Sequence, residues 1–83
     1  MILNAKLIIT NLNKVILTDA IIAERDAKLA EMVAANKTNG DRIRLSYTSF
    51  CRFFVDSAAA QEYIDWYNST EFEGETTFEI VNL

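Results

Sequence analysis

The sequence predicts a small α+β domain in which a sheet carries two helices on one face. Three observations lead there. Residues alternate with a period of two from Arg42 to Val55. An Asp56–Ser57 cap then opens an amphipathic helix ending near Asn68. An earlier helical pattern, Thr18 to Asn36, follows a leucine- and isoleucine-rich strand. A two-residue period marks a strand with two distinct faces, and a period near 3.6 marks a helix with one apolar side.

Ile2 to Thr10 reads as a strand, best over Lys6 to Asn11. Val15-Ile16-Leu17 is either a short strand closing a hairpin or a connection into the first helix. Thr18 is a good N-cap, and Asp19 suits the positive end of a helix dipole. The helix is expected to run to about Asn36, with Gly40 or Asn39 taking the left-handed conformation that ends many helices. At about 100° per residue, Ile21, Ile22, Leu29, Met32 and Val33 gather on one side. Ala23, Ala27, Ala30 and Ala34 form a second, small-residue side. Only Glu24, Lys28 and Glu31 make a clear polar strip, so the helix is either mostly buried or covered by a partner. The alanine side admits another backbone closely and is the main pointer to a homodimer.

From Arg42, the residues Ile43, Leu45, Tyr47, Cys51, Phe53 and Val55 share one parity, broken only by Ser49, and are expected to face inward. Arg42, Arg44, Ser46, Thr48 and Arg52 share the other, with Phe50 and Phe54 as apolar exceptions. No Gly or Asn favours a tight turn near Thr48-Ser49, so one long bent strand is the simpler expectation. Two strands joined by an irregular turn are the alternative. After Asp56–Ser57, Ala60, Tyr63, Ile64 and Tyr67 make the apolar face of the second helix, with Trp66 at its margin. Gln61, Glu62, Asp65 and Asn68 face water. Glu71 to Glu75 is an acidic loop around Gly74, and Thr76 to Val81 is a closing strand with Phe78 and Ile80 on one face. The order β-α-β-(β)-α-β, in its four-strand form, is the ferredoxin-like split βαβ arrangement.

Residues 1–83 make a single domain. So short a chain buries only about 60–65% of its unfolded surface, and small domains commonly add a disulfide, a metal or self-association. One cysteine cannot form an internal disulfide, and without histidine there is no Cys/His zinc site. Self-association is therefore expected. A net charge of −4 without a basic stripe argues against nucleic acid; Arg42, Arg44 and Arg52 come nearest to a basic cluster. No apolar run approaches the roughly 20 residues of a membrane span. Met1 to Lys6 lacks the pattern of a signal peptide, so a reducing cytoplasm is the expected location.

Arg52-Phe53-Phe54-Val55-Asp56-Ser57-Ala58-Ala59-Ala60-Gln61-Glu62-Tyr63-Ile64, an aromatic strand ending at a cap before an Ala-rich helix, resembles the small ferredoxin-like proteins that pair as dimeric α+β barrels. Phages and marine microbes hold many such proteins. The resemblance covers about a third of the chain and implies the fold and a homodimer. Some proteins of that class are monooxygenases and others only bind ligands. Having no histidine, this chain lacks the usual axial ligand of the heme-degrading type.

No catalytic residue, cofactor or metal is expected. Without histidine, a Ser-His-Asp or Cys-His arrangement is excluded, and Gly40 and Gly74 open no phosphate cradle. Cys51 reads as an inert core thiol. Asp26 lies at the edge of the apolar side of the first helix; it either has a raised pKa or, more often for such residues, pairs with Arg42, Arg44 or Arg52. Tyr47, Tyr63, Trp66 and Tyr67, with Phe50, Phe53 and Phe54, either line an aromatic pocket or fill a core. The candidate ligand-binding residues are Asp26, Tyr47, Arg52, Phe53, Tyr63 and Trp66. Three functions are consistent with this pattern. The first is a non-enzymatic homodimer acting through protein contacts. The others are a small-ligand binder with an aromatic cavity, and a cofactor-independent monooxygenase-like enzyme.

Overall fold

The structure, a computed structural model, describes residues 1–11, 19–69 and 76–83. Strand β1 (Ala5–Asn11) is followed by helix α1 (Asp19–Ala34), strands β2 (Ile43–Arg44) and β3 (Ser49–Phe54), helix α2 (Ser57–Ser69) and strand β4 (Thr76–Asn82). The sheet order is β2-β3-β1-β4, and every neighbouring pair is antiparallel. β1 and β2 therefore run the same way with β3 between them, and β3 and β4 run the same way with β1 between them. These are two interlocked split βαβ units, the ferredoxin-like arrangement predicted from element order. Val15-Ile16-Leu17, the Thr18 cap and the acidic loop Glu71 to Glu75 lie outside the described residues.

Register fixes the two faces of the sheet, because alternate residues point to opposite sides. Ala5 pairs with Phe54 and Asn82, Leu7 with Arg52 and Ile80, and Ile9 with Phe50 and Phe78. This side takes the helices. Ala5, Leu7, Ile9, Phe50 and Phe54 form one buried cluster with Leu29 and Met32 of α1 and Ala59, Ala60, Tyr63, Ile64 and Tyr67 of α2. Burying a side chain such as Leu7 or Phe54 contributes about 1.5–3 kcal/mol. The opposite side carries Lys6, Ile8, Thr10, Cys51, Phe53, Glu79 and Val81.

The expected inward parity of β3 is thus reversed. Phe50, Arg52 and Phe54 face the helices, whereas Cys51 and Phe53 lie on the other side of the sheet. Both faces of β3 are apolar, so the alternation separated two faces without telling which one the helices cover. The expected single long strand is also two strands. Its turn closes through backbone bonds from Leu45 and Ser46 to the Ser49 carbonyl (3.0 and 3.1 Å), and Ser46 Oγ accepts from the Thr48 and Ser49 amides. A serine hydroxyl here does what glycine or asparagine does in a tight hairpin.

α2 begins as predicted: Asp56 Oδ1 accepts the Ala59 amide at 2.8 Å. α1 ends earlier than predicted and by a different residue. Asn36 adopts φ 57°, its amide donates to the Val33 carbonyl, and the Lys37 amide donates to that of Met32, a Schellman closure. Gly40, at φ 81°, serves a later turn. Only Leu29 and Met32 of α1 are buried; Ile22, Val33 and the alanine side are exposed. No Cα of α1 comes within 8 Å of a strand or of α2, so long side chains fill the gap. No described helix is long and apolar enough to cross a membrane.

Candidate functional site

The helix side of the sheet gathers arginines and aromatic rings around β3. The cluster begins with a defect in the edge strand. Thr38 bridges to Phe54, and the next paired residue, Ile43, faces Cys51. The edge therefore inserts 39–42 opposite only Arg52 and Phe53, a bulge turned by Gly40. Thr38, fully buried, anchors it: its hydroxyl donates to the Phe53 carbonyl at 2.6 Å and accepts the Gly40 amide at 3.2 Å.

Arg52 points into the helix side of the sheet opposite this bulge and is only 7% exposed. Its Nη1 donates long bonds to the carbonyls of Gly40 (3.5 Å) and Asp41 (3.4 Å). Its guanidinium lies 5.6 Å from the Phe50 ring centre and 5.8 Å from that of Tyr63. Arg42, leaving the same bulge, lies 4.2 Å over Phe50. Arg25 of α1 donates to the Tyr67 hydroxyl at 2.5 Å and stacks on that ring at 5.1 Å. Arg44 is exposed and bonds the Ser46 carbonyl. Burial, then the charges of Arg52, Arg44 and Arg25, push the Arg42 pKa down. Burial pushes that of Tyr63 up, against the opposing pull of Arg52 and Arg25. Arg52 is close enough to favour the Tyr63 phenolate, yet no hydrogen bond of acceptable geometry joins them. Among the described residues, Tyr63 Oη and Arg52 Nε have no hydrogen-bond partner of acceptable geometry.

The candidate residues are thus partly assembled. Arg52 meets Tyr63, and Tyr63 meets Trp66 with ring centres 5.6 Å apart. Asp26 is exposed on α1, with no ion pair among the described residues. Tyr47, 91% exposed, stands on the β2–β3 turn, and Phe53 lies across the sheet. Trp66 instead lines an open groove of about 280 Å³ with Glu24, Ala27, Lys28 and Glu31. No protein-family model, curated protein or solved structure matches the chain. Arg25 belongs to the cluster but was not a candidate, and Phe50, expected to line a pocket or fill a core, is buried in the core cluster. Arg25 had a signal: it stands four residues from both Ile21 and Leu29, on the stripe that α1 turns toward the sheet.

The second candidate surface is the sheet face away from the helices. Ile43, Cys51, Ile8 and Glu79 form one row across the four strands, and Phe53, Lys6 and Val81 form the next. Cys51 is buried at 1% exposure, Ile8, Phe53 and Val81 are half-buried, and Ile43 is exposed. No described helix covers this face.

Proposed function

We propose that the chain is a non-enzymatic protein that pairs with a second copy over the sheet face away from the helices and acts through protein contacts. The observation that carries this reading is the apolar row Ile43, Cys51 and Ile8, with Phe53 and Val81 beside it, on a face that no described helix covers. The charges on that face suit a two-fold partner. Lys6 and Glu79 have no ion pair among the described residues, and an isologous contact can set Lys6 against Glu79 of the second copy. A domain of this size gains stability from such burial. The resemblance to dimeric α+β barrels supports the same pairing. The alanine side of α1, also exposed, carries no charge pair of this kind and is the lesser candidate.

Size-exclusion chromatography with light scattering tests the reading. The wild type is expected at twice 9.4 kDa, and Phe53→Glu at the monomer mass with an unchanged circular dichroism spectrum. A wild type that stays monomeric at high concentration overturns it. Dissociation by Ala27→Glu but not by Phe53→Glu moves the interface to α1.

A further inference from the structure

An arginine cannot escape burial by losing its proton, so a buried guanidinium needs an anion or a full set of acceptors. Arg52 has neither. Its two bonds are long and both leave from Nη1, and Nε has no acceptor. Arg42 brings a second positive charge to the other contact on the Phe50 ring. Close by, the fully buried Tyr63 hydroxyl also lacks a partner. The chain has 12 acidic residues against 8 basic ones, so carboxylates are in surplus. Yet all ion pairs among the described residues are made by Lys28 and Lys37, and none by Arg42, Arg44 or Arg52.

We propose that Arg42, Arg52 and Tyr63 bind a small oxyanion, a carboxylate or phosphate group, next to the Phe50 ring. Guanidinium groups present paired donors that match the oxygens of either head group. The Tyr63 hydroxyl donates to a third lone pair. Arg42 is exposed, so the anion meets the site from solvent through it. The site lies on the helix side of the sheet, away from the proposed dimer face, and does not depend on pairing.

The test titrates the full chain at pH 7 with sodium phosphate, sodium benzoate or sodium chloride at matched ionic strength. It follows the melting temperature and the arginine Nε–H resonances. Phosphate or benzoate is expected to raise the melting temperature beyond chloride, saturably, and to move the Arg52 Nε–H signal; which of the two acts identifies the head group. Arg42→Gln, a surface change, is expected to keep the fold and weaken binding about tenfold, the size of a lost charged hydrogen bond. Tyr63→Phe is expected to weaken it roughly threefold. The proposal is overturned if neither anion moves an arginine Nε–H signal more than chloride does, or if Arg42→Gln binds as tightly as the wild type.

Discussion

The Tyr63 hydroxyl is buried beside the Arg52 guanidinium, which lies 5.8 Å from its ring centre, and the two form no hydrogen bond. The ring itself is well placed, 5.6 Å from Phe54 and from Trp66 and 6.2 Å from Tyr67. Its packing stabilises the core while its polar atom opposes burial. Removing only the oxygen separates the two effects. Tyr63→Phe is expected to stabilise the anion-free protein by about 1 kcal/mol, the cost of an unsatisfied buried hydroxyl. For a domain of this size that raises the melting temperature by about 4–8 °C. A melt showing a loss of stability would mean that the hydroxyl is satisfied in solution.

Met32 is the most deeply buried residue of α1, and Leu29 is the other buried residue of that helix. Met32→Ala is expected to cost about 2–5 kcal/mol through lost burial and a residual cavity. That is a large part of the stability of a small domain. Urea denaturation measures the loss, and hydrogen exchange should show the α1 amides deprotected before those of β1. Uniform deprotection would show that α1 and the sheet unfold as one unit.

Much of this fold was legible in the sequence, and the failures share a cause. The Asp56 cap and the stripe Ala60, Tyr63, Ile64 and Tyr67 were readable because one local period and one capping residue decide them. The side of β3 that meets the helices was not readable, because Cys51 and Phe53 are as apolar as Phe50 and Phe54. A charged residue inside the sheet, Arg52, ran against the pattern, and the acceptors that receive it are backbone carbonyls of a bulge. Backbone carbonyls leave no trace in composition. The arginine cluster was glimpsed as Arg42, Arg44 and Arg52, but the pairing of Arg52 with Tyr63 needed the helix in place.

Lys37 donates a 2.6 Å hydrogen bond to Glu62, which also accepts from Lys28 at 3.4 Å. Glu62 thereby ties α2 to α1 and to the segment after it. The hydrogen bond from Lys37 lowers the Glu62 pKa; burial, the next largest effect, opposes it, and the charges of Lys28 and Lys37 add to the lowering. The bond to Glu62, then its charge, raises the Lys37 pKa. The carboxylate contribution is therefore complete above its ordinary value of 4.5 and is lost as pH falls through the lower folded value. The lysine contribution is complete below 10.5 and is lost as pH rises through the higher folded value. Between these limits Glu62→Gln is expected to lower the melting temperature slightly in low salt, because exposed pairs contribute little. The difference should vanish in about 1 M sodium chloride, where screening acts within about 3 Å. A difference that persists there would point to a packing effect instead.

Gly40 tests whether the bulge is a fixed feature. Its φ of 81° is one that residues with a Cβ rarely adopt, and an added Cβ would lie 3.1 Å from Val33 Cγ2. Backbone strain of this kind costs about 1–3 kcal/mol. Gly40→Ala is therefore expected to lower stability by that amount, with an unchanged denaturant slope if the unfolded state is unaffected. The bulge also carries Arg42 and two acceptors of Arg52, so the same change should shift the Arg52 Nε–H resonance without any anion present. Asn36→Gly is the matched control, since it relieves the φ of 57° at the end of α1 and leaves the bulge alone. It should be neutral or stabilising by a few tenths of a kcal/mol, with that resonance in place. If Gly40→Ala melts like the wild type, the bulge relaxes freely, and the carbonyls that hold Arg52 are not set by the backbone.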